Sequence, residues 1–377
     1  MEQFGSCPVP TERERHMDRR QFLGGAPLIA AAPAVAKTAR HDVLSFNAAG
    51  DGVKDDTASI QRAVDEVKLV GGGVVRIPEG TYKISAPIRV YGNFQFRSIK
   101  ILGDNAEIVS THAGPAFEFD PSNPTPAPQV KQRSEMDGLS FSGPGRDIAG
   151  SSGISIINGA TVRVRNCKVR GYEKGISGVG ALILRFLEVE LYGNAHGYHF
   201  TSTKTFGAND IHFNSCFIFE NTRAGFAENF PNSVMTFNQC EIEGNNFDGN
   251  ADDGVVTMEF SNAGKVTLIG CHVEENHGRA NIVFAGGNRS SSLNIIGSEI
   301  LPGRKISTVV EMATNFGPFG HLHVIGSRIT SGRGNQIDLG LGISACIIGE
   351  TEGSISGDLS KLVVIKDGKV ATGGIEP

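Results

Sequence analysis

The sequence predicts an all-β solenoid, in which one chain winds into short parallel coils around an apolar core. Three observations lead to this prediction. Glycine supplies 49 of the 377 residues without a collagen period, which is typical of many turns between short strands. A strand-like pattern recurs every 20 to 31 residues through the middle of the chain. An amphipathic segment near the N-terminus is suited to cover the open end of such a stack.

The first 36 residues have the pattern of an export signal. Arg19 and Arg20 form a twin arginine before an Ala-rich apolar run at 24–36, which ends in the small-x-small sequence Ala-Val-Ala. We expect a Tat-type signal peptide over residues 1–36, with Met17 as an alternative start. The mature domain, 37–377, would then be periplasmic or secreted, and would not insert into a membrane once the signal is removed.

Composition excludes several function classes. The formal net charge is −5, which argues against nucleic acid as the main partner. Of six cysteines, five follow the leader, and an odd number does not favour a disulfide framework. No cysteine or histidine pair has zinc-binding spacing, so we expect no required cofactor and no metal among the site residues.

The stretch GDGVKDDTASIQ at residues 50–61 has the look of a ligand loop, but its spacing fits neither an EF-hand nor a P-loop. Asp55 or Asp56 is better placed as the N-cap of a helix. The predicted helix covers residues 57–69 and turns one apolar face inward, formed by Ile60, Ala63, Val64 and Val67. We therefore predict an N-terminal cap over about residues 47–85.

Seven copies of a strand pattern can be aligned on one marker position. Residues five before, three before and two after the marker are apolar in every copy, which predicts inward-facing strand positions. The marker is occupied by Cys167, Leu187, Cys216, Cys240, Cys271, Ser298 and Ser327. The cysteines are therefore expected to be buried core fillers.

Asparagines five residues after the marker, Asn221, Asn245 and Asn276, predict a hydrogen-bonded column that tolerates left-handed backbone. The repeat fades toward the C-terminus, where a cap is expected over about residues 344–377.

Outward-facing positions should carry the chemistry, because the inward ones fill the core. Glu241 and Glu243 on one coil are expected beside His272 and Glu274 on the next. Two close carboxylates resist double ionisation, so one can act as an acid and the other as a base or nucleophile, as glycoside hydrolysis requires. These four residues are the predicted catalytic group.

Further residues near this group are predicted to bind substrate. Phe217 and Phe219, outward on the preceding coil, can stack on a sugar ring, and Glu220 follows at the turn. The polar candidates in neighbouring loops are Asp252, Asp253 and Arg279. Five basic residues on the early coils, which could hold an anionic polymer or simply aid solubility, are Arg163, Arg165, Lys168, Arg170 and Arg185.

The segment NAAGDGVKDDTASIQRAVDEVKLVGGGVVRIPEGTYKIS at 47–85 resembles the start of the pectate-lyase-like superfamily of right-handed parallel β-helices. That group includes rhamnogalacturonase- and epimerase-like domains, polygalacturonase relatives and phage tailspike depolymerases. The resemblance implies a single-stranded right-handed parallel β-helix that processes a polysaccharide. The companion motifs of polygalacturonases are not found in order, so it does not imply that activity.

Three functions follow from these expectations. The first is an exported glycoside hydrolase that uses the paired carboxylates. The second is a polysaccharide lyase acting by β-elimination on a uronate polymer, for which carboxylates along a groove could hold Ca²⁺. The third is a non-catalytic glycan-binding or adhesive solenoid. The partner is a polysaccharide in each case, and the chain would be a monomer or, by likeness to tailspikes, a homotrimer.

Overall fold

The fold is seen in a computed structural model. It describes residues 39–91, 98–120, 133–157, 161–180, 183–201, 210–229, 233–247, 255–303, 306, 308–315, 317, 319–330, 335–349, 351–352, 354–366 and 369–372. The predicted signal peptide lies outside these residues. No helix within the described ranges is both long and apolar enough to cross a bilayer.

The chain winds into coils with three strand-bearing faces, and strands of successive coils pair in parallel along each face. Strands are numbered along the chain. Face 1 contains β1 (Ala39–Asp42), β3 (Gly73–Ile77), β6 (Ser98–Ser110), β8 (Arg133–Ser142), β10 (Thr161–Arg165), β13 (Ile183–Leu187), β16 (Asp210–Asn214), β19 (Val234–Asn238), β22 (Lys265–Ile269), β25 (Ser292–Ile296), β28 (His321–Ile325), β31 (Ser344–Ile348) and β34 (Leu362–Lys366).

Face 2 contains shorter strands, and β6 and β8 run through both of the first two faces. Its own strands are β2 (Asp51–Asp55), β4 (Thr81–Ile84), β11 (Lys168–Arg170), β14 (Glu190–Tyr192), β17 (Phe217–Phe219), β20 (Glu241–Glu243), β23 (His272–Glu274), β26 (Glu299–Ile300), β29 (Arg328–Thr330) and β32 (Thr351–Glu352).

Face 3 is a separate sheet of eleven strands. These are β5 (Ile88–Tyr91), β7 (Pro115–Asp120), β9 (Ser152–Ile157), β12 (Lys174–Val179), β15 (His196–Thr201), β18 (Phe226–Asn229), β21 (Val256–Ala263), β24 (Ala280–Gly286), β27 (Thr308–Ala313), β30 (Asn335–Leu339) and β33 (Ile355–Gly357). The predicted right-handed parallel β-helix is confirmed, with the handedness usual for parallel crossovers.

The core is a set of ladders in which like side chains stack on successive coils. Phe213 and Phe237 stack with ring centroids 4.7 Å apart, and Phe186 lies 4.8 Å on the other side of Phe213. Cys167, Cys216, Cys240 and Cys271 are buried and unbridged, as predicted, and burial raises the pKa of the Cys167 thiol to about 12. Such stacking explains why the core can grow with every added coil.

One predicted alignment is wrong. Leu187 pairs in register with Arg165 and Asn214, each of which lies two residues before a marker cysteine. The marker of that coil is therefore Val189, which is 1 % exposed, whereas Leu187 is 38 % exposed. The outward residues of this coil on face 2 are therefore Glu190 and Tyr192. An alignment on Leu187 would instead have given Glu188 and Glu190.

An asparagine ladder follows the corner between faces 2 and 3. The Nδ2 of Asn221 donates to Oδ1 of Asn245 at 2.9 Å, and Nδ2 of Asn245 donates to Oδ1 of Asn276 at 2.9 Å. Asn194 extends the ladder by one coil, and all four side chains are fully buried. The predicted hydrogen bonding is confirmed, but the left-handed backbone belongs to the residue before each of Asn194, Asn221, Asn245 and Asn276.

The helix α1 (Thr57–Leu69) covers the first coil with the predicted apolar face inward. Its Gln61 side chain accepts from the backbone N–H of Arg89 and donates to the carbonyl of the same residue, so it occupies the open edge of β5. Asp56 is the N-cap residue but makes no capping hydrogen bond. Its buried carboxylate instead accepts from the N–H groups of Ala49 and Gly50, at 2.6 and 3.0 Å, and ties the turn to the helix start.

Regular coils continue through β31, β32 and β33, a stretch that the sequence placed inside the C-terminal cap. The pattern changes at β34, whose partner β35 (Lys369–Thr372) is antiparallel. Two 3₁₀ turns, Val43–Phe46 and Leu359–Lys361, lie near the two ends of the stack.

Candidate functional site

Face 2 presents two outward columns of side chains. Strand register aligns Phe217 with Glu241 and then His272, and it aligns Phe219 with Glu243 and then Glu274. Each strand has one buried residue between two outward ones, which confirms the predicted alternation. The four residues predicted as catalytic therefore form one patch on two adjacent coils.

The centre of this patch is a pair of glutamates, Glu243 and Glu274, which are directly opposite each other. Neighbouring strands are about 4.8 Å apart, so the two side chains start from backbones at nearly that separation. His272 lies beside them, with its Nε2 3.6 Å from Oε2 of Glu274 and 3.4 Å from Oε2 of Glu299. Within the described residues, Glu241 and Glu243 have no ion pair.

The corner beside the patch holds two further glutamates in a strained conformation. Glu220 and Glu275 have φ of 51° and 49°, at positions where neighbouring coils have Gly193 and Gly244. A left-handed conformation is uncommon for a side chain such as glutamate and costs free energy that glycine avoids. These two acidic side chains add negative charge next to Glu243 and Glu274.

Aromatic rings form a platform on the N-terminal side of the acids. Tyr192 and Phe219 stack with centroids 5.0 Å apart and planes 6° apart, and Phe217 meets Phe219 edge-on at 5.6 Å. Phe217 is 37 % exposed. Sequence reasoning missed Tyr192 because the alignment of its coil was displaced by two residues. Flat, partly exposed rings beside carboxylates are suited to contact the apolar face of a sugar.

One of the three loop residues predicted to bind substrate, Arg279, is placed away from this patch. The other two, Asp252 and Asp253, lie outside the described residues. Arg279 precedes a face 3 strand, and its guanidinium forms an ion pair with Glu311 on the next coil of that face. Arg279 therefore already has an acidic partner away from face 2.

The basic residues of the early coils are largely neutralised by acidic neighbours. The Glu135 side chain, only 11 % exposed, lies 3.3 Å from Lys100 Nζ and 3.2 Å from Arg165 Nη2. The other pairs are Arg163 with Glu135, Arg165 with Asp137, Lys168 with Glu190, Arg170 with Glu107 and Arg185 with Asp210. The predicted basic patch is thus a network of alternating charges.

A second cluster that sequence reasoning missed lies outward on face 1. The Nε2 of His212 is 2.6 Å from Oδ1 of Asp210, and Arg185 binds the other carboxylate oxygen. Burial opposes ionisation of Asp210, but the hydrogen bonds from Arg185 and His212 hold its pKa below the usual value. The Asp-x-His spacing on one strand was the available signal. An oriented imidazole beside a guanidinium is a recognisable acid–base arrangement.

The described ranges contain no cluster of three or more His, Cys, Asp and Glu side chains positioned to hold a metal ion.

Comparisons with known proteins agree with this architecture. Residues 41–118 match the model of the family described as "Rhamnogalacturonase A/epimerase, pectate lyase-like". Mannuronan C5-epimerase AlgE4 of Azotobacter vinelandii is 52 % identical over 46 residues, which are 12 % of this chain and 8 % of that protein. The chain thus matches only a small part of this relative's length.

Two solved structures share the fold across most of the chain. The gp42 tailspike of Acinetobacter phage vb_AbaP_AS12 has a TM-score of 0.64 at 12 % identity, covering 88 % of this chain and 64 % of its own. DFA-IIIase of Arthrobacter chlorophenolicus A6, as mutant C387A in complex with DFA-III, has a TM-score of 0.59 at 14 % identity. The match covers 87 % of this chain and 85 % of the DFA-IIIase chain. Residues 41–118 are therefore similar to this pectate-lyase-like family and to an enzyme that acts on a polysaccharide, and the chain as a whole shares the parallel β-helix fold of the two solved structures.

Proposed function

We propose that the protein is a glycoside hydrolase whose glycan lies along face 2, with Glu243 and Glu274 as its two catalytic carboxylates. The observation that carries the proposal is their register on adjacent coils, where two acids face each other. Like charges placed opposite each other destabilise a sheet, so a pair that serves only the fold would be selected against.

The spacing favours retention of configuration. Retaining glycosidases hold their two carboxyl groups about 5–5.5 Å apart, close to the interstrand distance of about 4.8 Å that separates these residues. One carboxylic acid protonates the glycosidic oxygen while the other carboxylate attacks the anomeric carbon, and the bond to the leaving sugar breaks. Water, deprotonated by the first group, then releases the glycosyl ester and restores both residues.

The neighbours of the two glutamates indicate which one is the nucleophile and which one is the acid and base. His272 Nε2 lies 3.6 Å from Oε2 of Glu274, where it can help to orient a nucleophilic carboxylate. Glu243 has no ion-pair partner within the described residues and is left for proton transfer. We assign Glu274 as the nucleophile and Glu243 as the acid and base.

Other features support a glycan substrate. The rings of Tyr192, Phe217 and Phe219 extend the patch by two coils and offer stacking surfaces for sugars. Related proteins include an epimerase named for mannuronan and a DFA-IIIase seen in complex with DFA-III. The fold alone does not favour an enzyme, because a surface adhesin of Streptococcus pneumoniae shares it, and the opposed acids beside these rings are what favour an enzyme over an adhesive solenoid.

The test begins with a panel of soluble polysaccharides, monitored for new reducing ends and for product configuration by NMR. We expect the first-formed anomer to retain the configuration of the substrate. With Glu274→Ala, turnover should stop, and added azide should yield a glycosyl azide in place of the missing carboxylate. Glu190→Gln, on the same face but paired with Lys168 at 3.0 Å, is the matched control. Inverted product, or an active Glu274→Ala enzyme without azide, would contradict the assignment.

Proton abstraction on face 1 is a second candidate function, and the Arg185–Asp210–His212 cluster favours it. In a β-elimination on a uronate, Arg185 would neutralise the substrate carboxylate while His212 removes the proton next to it. The electron pair forms a carbon–carbon double bond and the glycosidic oxygen departs. Product absorbing in the ultraviolet, lost in His212→Gln and kept in Glu243→Gln, would select this reaction over hydrolysis.

A further inference from the structure

The corner between faces 1 and 2 changes character along the stack. Its left-handed position holds a side chain on the earlier coils, namely Asn166, Glu188, Ser215 and Gln239. On the next three coils the same position is glycine, at Gly270, Gly297 and Gly326. The change occurs between the two proposed catalytic coils, because Gln239 lies on the coil of Glu243 and Gly270 on the coil of Glu274.

Backbone conformation alone does not demand these glycines. Gly297 and Gly326 have φ of 54° and 56°, and Asn166 adopts 51° at the equivalent position. A Cβ atom added at Gly297 or Gly326 would meet no other atom within 4 Å. The effect of glycine here is to leave space, and the result is an open trough of 390 Å³ along the corner.

The two sides of this trough differ. On the face 2 side, Glu299 lies between His272 and Arg328, with Oε2 3.4 Å from His272 Nε2 and Oε1 3.2 Å from Arg328 Nη1. On the face 1 side, each glycine follows an outward isoleucine, and Ile269 and Ile325, which are 39 % and 42 % exposed, flank the trough without lining it. The trough thus has a polar wall and a glycine floor, with aliphatic side chains beside it.

We infer that this trough binds sugar units of a neutral glycan, on the C-terminal side of the acid pair. This inference depends on the proposed function and names its substrate class. Isoleucine side chains suit the C–H face of a pyranose ring, and the carboxylate–guanidinium pair of Glu299 and Arg328 offers acceptors and donors to hydroxyl groups. A uronate carboxylate would face Glu299, which repels it, while the nearby His272 and Arg328 side chains are already in contact with Glu299.

The same geometry orients the glycan. The aromatic platform, the acid pair and the trough follow one another along the stack axis, on strands β14 to β29. One bound chain can therefore touch all three features while its scissile bond lies over Glu243 and Glu274.

The test fills the trough without straining the backbone. Gly297→Asn and Gly326→Asn introduce asparagine, which already occupies the equivalent left-handed position at Asn166. Glu188→Asn is the matched control, because it introduces the same residue at the same corner outside the trough. On a neutral polymer that the wild type cleaves, we expect KM to rise at least about tenfold in the two glycine variants, with kcat changed less than about threefold. The control should behave as wild type.

A binding measurement separates this inference from the hydrolase proposal. Affinity electrophoresis of Glu243→Gln protein, with and without Gly326→Asn, would use soluble neutral β-glucans and polygalacturonate as probes. We expect retention by a neutral glycan and not by polygalacturonate, and loss of that retention when the trough is filled. Equal retention with the trough filled, preference for polygalacturonate, or no retention by any neutral glycan would overturn the inference. An active Glu243→Gln enzyme would instead overturn the proposed mechanism.

Discussion

The early coils of face 1 and the middle coils of face 2 use the same scaffold in opposite ways. On face 1, the nearly buried Glu135 lies among Lys100, Arg163 and Arg165, and even the like charges Arg163 and Arg185, which are in register, each have an acidic partner. On face 2, Glu243 faces Glu274 and has no ion pair within the described residues. Opposite charges in contact stabilise the stack, whereas the like charges of Glu243 and Glu274 oppose it and point to a function.

The largest effect on the free energy of unfolding is expected at Glu135, the nearly buried carboxylate of face 1. Glu135→Gln leaves three cations around an uncharged side chain, and removal of one partner from a buried charge network costs about 3 kcal/mol of unfolding free energy. Urea denaturation followed by circular dichroism measures the loss. Glu190→Gln, whose pair with Lys168 is exposed, should cost less than about 1 kcal/mol. Equal midpoints for the two variants would show that the Glu135 network does not stabilise the stack.

The asparagine ladder is a second column of side chains that is expected to stabilise the stack, in contrast to the acid pair. Asn245→Ala removes the acceptor used by both the side chain and the N–H of Asn221, and the donor to the Ile218 carbonyl. Groups left unsatisfied in the interior cost about 1–3 kcal/mol, and the same urea assay should register that loss. Asn238→Ala, outward and half-buried, is the control and should change stability by about 0.5 kcal/mol or less. A ladder variant as stable as this control would contradict the account.

A pH-dependent effect, which is small near neutral pH, is expected on face 3. Burial, with the charges of His199, Arg223 and Lys174, lowers the pKa of His196 to about 4. The unfolded chain therefore binds more protons than the native one between that value and about 6.5, and stability should fall as pH decreases through this window, by up to about 1.4 kcal/mol per unit. His196→Gln should flatten the dependence measured by urea denaturation at pH 4 to 7. Parallel curves for variant and wild type would exclude His196 as a source.

The smallest expected effect is a gain. Glu243→Gln removes one of two opposed carboxylates, and relief of a like-charge cross-strand pair is worth roughly 0.2–1 kcal/mol. Thermal unfolding at low salt should show an equal or higher midpoint, and the gain should shrink in 1 M salt through screening. A clear loss of stability at low salt would mean that Glu243 supports the fold.

Much of the architecture could be predicted from the sequence because it depends on periodicity. The helix over residues 57–69 and the inward ladders follow directly from spacings of 3.6 and 2. The displaced alignment at Leu187 shows the limit of this reasoning. A shift of one residue exchanges inward and outward faces, but a shift of two preserves the alternation and leaves no trace in the pattern. Asn194, five residues after Val189, was the one signal that could have corrected it.

The candidate sites were less predictable because they depend on neighbours across coils. Glu243 and Glu274 could be paired from the repeat, since both follow a cysteine marker at the same distance. Arg185 lies four residues before Val189 and His212 four residues before Cys216, so the repeat places them in register, and the displaced alignment at Leu187 hid this contact.

The central claim is that the adjacent glutamates of face 2 serve catalysis at some expense to stability. The most direct measurement is the rate of polysaccharide cleavage by Glu243→Gln, beside its thermal midpoint, on a polymer that the wild type cleaves. The account predicts a rate lower by about 10²–10⁴-fold with a midpoint unchanged or raised. A variant that cleaves at the wild-type rate, or that loses activity only in proportion to lost folding, would contradict it.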